Sequence, residues 1–163
     1  MTVDVRTRLG RRFEHKRELG VPIRSRCGTA SKENDIQSGF AEIFACEQLG
    51  CEPNLEITDG GDNGIDGIYQ GHTFDVKWLG MFNGFPRSEG RILVDLGKLR
   101  ADMYIAVSGC ERTGFTCVGW CTAEDLLEAE LFTVPYPDVK GRFKRYAMHT
   151  DYLRPMSELI GGE

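Results

Sequence analysis

No run of about 18 apolar residues occurs in the 163-residue chain, so no membrane-spanning helix is expected. The N-terminus, MTVDVRTRLGRR, has no apolar core of the kind that directs secretion, which makes a cytoplasmic address the expectation. No CxxC pair is present, and six cysteines without that spacing suit a reducing compartment, where they serve as small buried hydrophobes. Cys117 and Cys121 fall on one face of an expected strand, but the strand rise separates them by about 13 Å, too far for one zinc ion. Cys46 and Cys51 flank an expected helix end and could approach each other there. Histidine is scarce too: His72 and His149 sit in an expected turn and strand, where packing or solvation is the commoner role. Internal repeats and low-complexity tracts are absent.

The composition that remains, 40% hydrophobic and 28% charged, is ordinary for a globular protein of one domain with a sizeable core. The net charge of −5 argues against a surface that binds nucleic acid all round. Its distribution is uneven. Residues 1–32 carry nine basic residues (Arg6, Arg8, Arg11, Arg12, Lys16, Arg17, Arg24, Arg26, Lys32) against Asp4, Glu14 and Glu18, a net +6 that leaves −11 for the rest. Lys140, Arg142, Lys144 and Arg145 form a second basic cluster. Two readings stand: contacts to phosphates, chiefly through Arg11, Arg12, Lys16, Arg17 and the second cluster, or a solvated basic face.

Residues 1–33 read as a basic arm ahead of a domain spanning 34–163. Val5, Leu9 and Phe13 recur at a spacing of four, so the arm includes one short amphipathic helix ended by Gly20 and Pro22. Asn34 to Leu49 is the strongest helix, with Asn34 or Asp35 as cap, Gly50 just past the end, and Glu42 on the flank of the stripe Ile36, Phe40, Ile43, Phe44, Leu49. Pro53 to Thr58 reads as a strand. The segment 80–90, rich in Gly and Asn with Met81, Phe82 and Phe85, reads as a loop, and 91–99 as either strand or short helix. Asp102 to Ser108 and Phe115 to Cys121 are strands, the second passing into a capped helix from Thr122 through Leu126, Leu127 and Leu131. Pro135 and Pro137 break the chain, Tyr146 to His149 makes an edge strand, and Tyr152 to Leu159 a closing turn of helix.

The chemistry gathers between Gly60 and Leu79, GGDNGIDGIYQGHTFDVKWL. Two short apolar runs flank Gln70-Gly71, a tight-turn signal, so the stretch reads as a β-hairpin. Alternation along the second strand puts Asp75 and Lys77 on one face and Phe74, Val76 and Trp78 on the other. Asp66 stands at the mouth of the partner strand, near Asp75. Two carboxylates beside a lysine suit a hard divalent cation that keeps several waters, such as Mg²⁺. Three other readings compete: a plain exposed ion pair between Asp75 and Lys77; a calcium loop in DGGDNGIDG; and a scaffold that binds nucleic acid or protein without catalysis. The calcium loop fails because its twelfth position is Gln70 or Thr73, not the bidentate glutamate required.

Asp66-Gly67, a turn, then Asp75-Val76-Lys77 resembles the PD-(D/E)XK nuclease superfamily, with Ile65 in place of its proline. The resemblance covers about Ile36 to Leu131, and GWCTAEDLL is similar to phage-type members. It implies a restriction-endonuclease-like α/β fold with an αβββαβ core and a mixed sheet flanked by helices. It also implies a Mg²⁺- or Mn²⁺-dependent nuclease acting on DNA before RNA in a bacterial or phage-infected cell, with a homodimer allowed. On this pattern Asp66, Asp75 and the Val76 carbonyl are metal ligands and Lys77 positions the attacking water. Glu42 matches the superfamily's helix glutamate ahead of Glu47. The rival function is a catalytically inactive binding module on the same fold.

Overall fold

The computed structural model describes residues 2–20, 31–55, 64–82, 85–86, 90–95, 97–129, 131–135 and 142–161. Two helices open the chain, α1 (Thr2–Glu18) and α2 (Ser31–Leu49), followed by β1 (Gly67–Tyr69), β2 (His72–Trp78), β3 (Met81–Phe82), β4 (Phe85–Pro86) and β5 (Arg91–Asp95). β6 (Met103–Cys110), β7 (Gly114–Thr122), α3 (Ala123–Glu128), β8 (Leu131–Pro135), β9 (Arg142–His149) and α4 (Met156–Ile160) complete it.

The main sheet has the order β1-β2-β6-β7, antiparallel except for the parallel pair β2–β6, and a second sheet has the order β5-β9-β8. The protein is therefore mixed α/β, with a mixed central sheet and flanking helices. A parallel pair needs a crossover. The described residues of this one hold β3, β4 and β5 and no helix, which departs from the expected αβββαβ order.

Alternation along β2 sorts the core into two halves. Phe74 and Val76 join Met103, Ile105 and Val107 under α2, which offers Ala41, Ala45, Cys46 and Leu49. On the opposite face Tyr104, Ala106 and Cys121 pack with Leu79, Ile92, Val94, Ala101 and Leu126. The register is pinned at its start: Asp102 Oδ2 accepts from both N–H and hydroxyl of Thr73, at 2.9 and 3.0 Å, while Asp102 N–H donates back to Thr73 Oγ1.

The α2 helix ends as its sequence demands. Gly50, at φ 67°, takes the left-handed conformation, its N–H donates to the Glu47 carbonyl at 3.2 Å, and the Cys51 N–H donates to the Cys46 carbonyl at 3.0 Å. Its start lies three residues before Asn34, so neither expected capping residue stands at the boundary.

The arm is a helix packed on the domain, not an extension of it. Leu9 and Phe13 are buried, and a side chain at Gly39 of α2 would collide with Leu9. Arg6 bonds Glu33 and Glu111, Lys16 bonds Asp35 at 2.7 Å, and Lys32 bonds Glu14 at 2.8 Å. Much of the local positive charge is thus matched by acids of α1, α2 and the β6–β7 turn.

Further expectations change. Cys51–Leu55 has no regular structure, and 56–58 of the expected strand lie outside the described residues. The loop 80–90 contains the two-residue ladder β3–β4, and the ambiguous 91–99 gives the strand β5. α3 stops at Glu128, Leu131 opens β8, and β9 is consequently the middle strand of its sheet, not an edge. Cys117 and Cys121 lie on opposite faces, because Val118 is an extra residue between the pairs Val107↔Cys117 and Ala106↔Gly119. One bulged residue inverts the alternation.

Candidate active site

Gln70 at φ 49° and Gly71 at φ 80° form the two-residue turn that the sequence signals, and they set the register Tyr69↔His72 through Gly67↔Phe74. Gly67 has to be glycine, since a Cβ there would enter the Phe74 ring. That close approach brings the preceding residue, Asp66, against β2.

Asp66 is fixed at three points. Its N–H donates to the Phe74 carbonyl at 2.8 Å, its carbonyl accepts the Asn54 N–H at 2.7 Å, and its carboxylate oxygen Oδ2 accepts the Val76 N–H at 2.7 Å. The side chain thereby takes the place of a partner-strand carbonyl just before β1 begins. Asp66 is 3% exposed, so this charge-assisted bond operates away from solvent. The carboxylate is turned toward the backbone of β2.

Asp75 is 6% exposed, and its Oδ2 accepts from the Lys77 ammonium at 2.7 Å. Lys77 Nζ also lies 5.9 Å from the ring centre of Tyr104, the register partner of Asp75 on β6. Burial alone would lower the lysine pKa. The charge and hydrogen bond of Asp75, with a further contribution from Asp66, outweigh that and raise it above the usual lysine value. Both acids therefore favour the charged form of one amine, which is cationic at neutral pH. A Cβ placed at Gly64 would lie 3.7 Å from Asp75 Oδ2, so the backbone of the acidic loop's last residue passes beside this carboxylate. Residues 59–63 of that loop lie outside the described residues.

Glu42 is buried on the side of α2 that faces α1, and its Oε2 accepts from Arg12 Nη1 at 2.6 Å. Arg12, expected as a phosphate contact, is a buried partner of Glu42. Lys16 is likewise turned to Asp35. Arg11 is exposed, Arg17 pairs with Glu14 at 3.4 Å on the surface, and Glu47 is exposed. Arg145, expected as a phosphate contact, holds Asp95 Oδ1 at 2.7 Å. Arg142 and Lys144 belong to β9, and Lys140 lies outside the described residues. His149 Nδ1 accepts the Asp151 N–H at 3.2 Å and caps a 3₁₀ turn, while His72 is exposed at the hairpin turn.

Cys46 connects the two halves of the arrangement. It is fully buried one turn after Glu42, its thiol lies 3.9 Å from the Asp66 carbonyl, and burial, then Cys51, then the charges of Asp66 and Glu42, push its pKa up. The contact with Cys51 realises the expected approach of these two residues, both free thiols.

The structure thus bonds Lys77 to Asp75 and Asp66 to the intervening Val76 N–H, and pairs Glu42 with Arg12. Among the described residues no group of three or more His, Cys, Asp or Glu side chains is arranged to hold a metal ion. Two buried carboxylates do match the needs of a cation bound through one or two acids and several waters, so Asp66 and Asp75 fit Mg²⁺ or Mn²⁺ by donor chemistry. Sequence reasoning missed Tyr104, whose place beside Asp75 follows only from the parallel β2–β6 register, and the role of Arg12. No protein-family model, curated protein or solved structure matches the chain.

Proposed function

We propose that this chain is a metal-dependent nuclease of restriction-endonuclease-like fold, hydrolysing phosphodiester bonds of DNA before RNA. The observation that carries the reading is that two buried carboxylates meet neighbouring residues of β2: Asp75 Oδ2 accepts from the Lys77 ammonium, and Asp66 Oδ2 accepts the Val76 N–H between them. Asp66, Asp75 and the Val76 carbonyl would hold Mg²⁺ or Mn²⁺, which when bound supplies an acidified water and positive charge for the phosphate. Lys77, kept cationic by its two acids, donates hydrogen bonds to the attacking water or a non-bridging phosphate oxygen. Asp66 keeps its aim through the Val76 N–H, so backbone order in β2 holds the first acid. Glu42 would join this set only by exchanging its bond to Arg12. Arg11 and the β9 cations remain candidates for sequence-independent affinity.

One observation favours the rival reading, a binding module without catalysis: Arg12 already neutralises Glu42. Supercoiled, linear and single-stranded DNA incubated with Mg²⁺, Mn²⁺ or EDTA separates the two. Catalysis predicts metal-dependent cleavage that falls by at least about 100-fold in Asp75→Asn and Lys77→Ala while DNA binding persists. Binding with no cleavage under any metal supports the module, and cleavage equal in both variants removes this site from the reaction.

A further inference from the structure

The site contains an aromatic residue that the nuclease pattern does not assign. In the parallel pairing of β2 with β6, Asp75 stands beside Tyr104 and Lys77 beside Ala106. All four project from the same face. Ala106 is small, so the aliphatic stem of Lys77 can lie across it toward the Tyr104 ring, with the ammonium 5.9 Å from the ring centre. The ring is completely buried, and its hydroxyl accepts the Ala101 N–H at 3.3 Å, which fixes the far end of the residue.

We propose that Tyr104 is a positioning residue for Lys77, holding the ammonium against its ring so that the amine stays beside the Asp75 carboxylate at the middle of β2. The proposal rests on the nuclease reading of this site. A flexible lysine loses rotamer freedom when it is ordered, and ordering it before substrate arrives removes that cost from the reaction. An ammonium has three N–H donors. Asp75 takes one at 2.7 Å. The ring attracts the cation through its electron-rich face without claiming a donor of its own, leaving two for water and phosphate oxygen. A further carboxylate in that place would take a donor and add negative charge where a phosphate must enter.

Two substitutions separate positioning from mere core filling. Tyr104→Phe keeps the ring, whereas Tyr104→Leu keeps an apolar side chain without it. On the metal-free protein, nuclear magnetic resonance should show a contact between the Lys77 ε-methylene and the Tyr104 ring protons. It should also show a Lys77 ammonium signal that is retained in Phe and broadened away in Leu. With DNA and metal, kcat should fall about 2- to 5-fold in Leu and recover in Phe, with KM unchanged. The resonance measurement needs no activity, so failure of the nuclease reading leaves it decisive. Absence of the ring contact in the wild-type protein overturns the proposal even if the Leu variant does not fold, and so does a Leu variant that matches Phe in both readouts.

Discussion

Removing either partner of the Arg12–Glu42 pair should cost far more than removing both. The side chains are 6% and 9% exposed and meet at 2.6 Å. At an effective dielectric constant near 20 the attraction of two charges at this separation is about 6 kcal/mol, while each ion loses several kcal/mol of hydration on burial. The pair as a whole is therefore close to neutral for stability. A single replacement leaves one charge in the interior without this close partner, at about 3–5 kcal/mol. Arg12→Met and Glu42→Met should each lower the free energy of unfolding by that amount in urea titrations. The double replacement should lie within about 1–2 kcal/mol of wild type. Singles that cost under about 1 kcal/mol, or a double equal to their sum, would show that α1 is not docked through this pair.

Other consequences are read with simpler assays. Gly67→Ala places a methyl in the Phe74 ring and should lower stability by about 1–3 kcal/mol in the same urea titration, with loss of the Asp66–Val76 bond visible as faster amide exchange at Val76. Asp125 completes a capping box with Thr122 and binds Arg154 through two bonds of 3.1 and 3.0 Å, and chiefly that arginine lowers its pKa. Its folded pKa lies below its unfolded one, so its contribution is present above the unfolded carboxylate value and fades as pH falls through the folded one. Asp125→Asn should flatten that acid limb of the stability profile, and an unchanged limb would contradict the assignment. Cys110, at the β6–β7 turn, has its thiol pKa lowered by hydrogen bonds from Thr113, whereas burial pushes Cys117 up to about 11 and Cys121 up to about 12. Alkylation mapped by mass spectrometry at neutral pH should modify Cys110 before Cys46, Cys117 or Cys121, and Thr113→Val should slow it.

The hairpin was legible because its cues are local. Gln70-Gly71 marks the turn, and alternation along His72–Trp78 separates the polar pair from Phe74 and Val76. Helix α2 was legible for the same reason, through its apolar stripe and Gly50. What escaped depends on partners far away in the chain. The basic residues of α1 look like an external arm until α2 presents Glu33, Asp35 and Glu42 to them. Tyr104 joins the site only through a register set across a crossover of more than twenty residues. The bulge at Val118 leaves no mark in FTCVGWC except Gly119, which is required because a side chain there would meet Leu153 and the Arg154 carbonyl. β9 reads as an edge until β8 is seen to cover it.

The central claim is that Asp66 and Asp75 form one cation-binding point beside Lys77. Titration of Mn²⁺ into ¹⁵N-labelled protein tests this without reference to activity, because the ion broadens amide signals close to it. The account predicts broadening centred on Asp66, Val76 and Lys77 in the wild-type protein and its loss in Asp75→Asn. Broadening centred elsewhere, or undiminished in that variant, contradicts it.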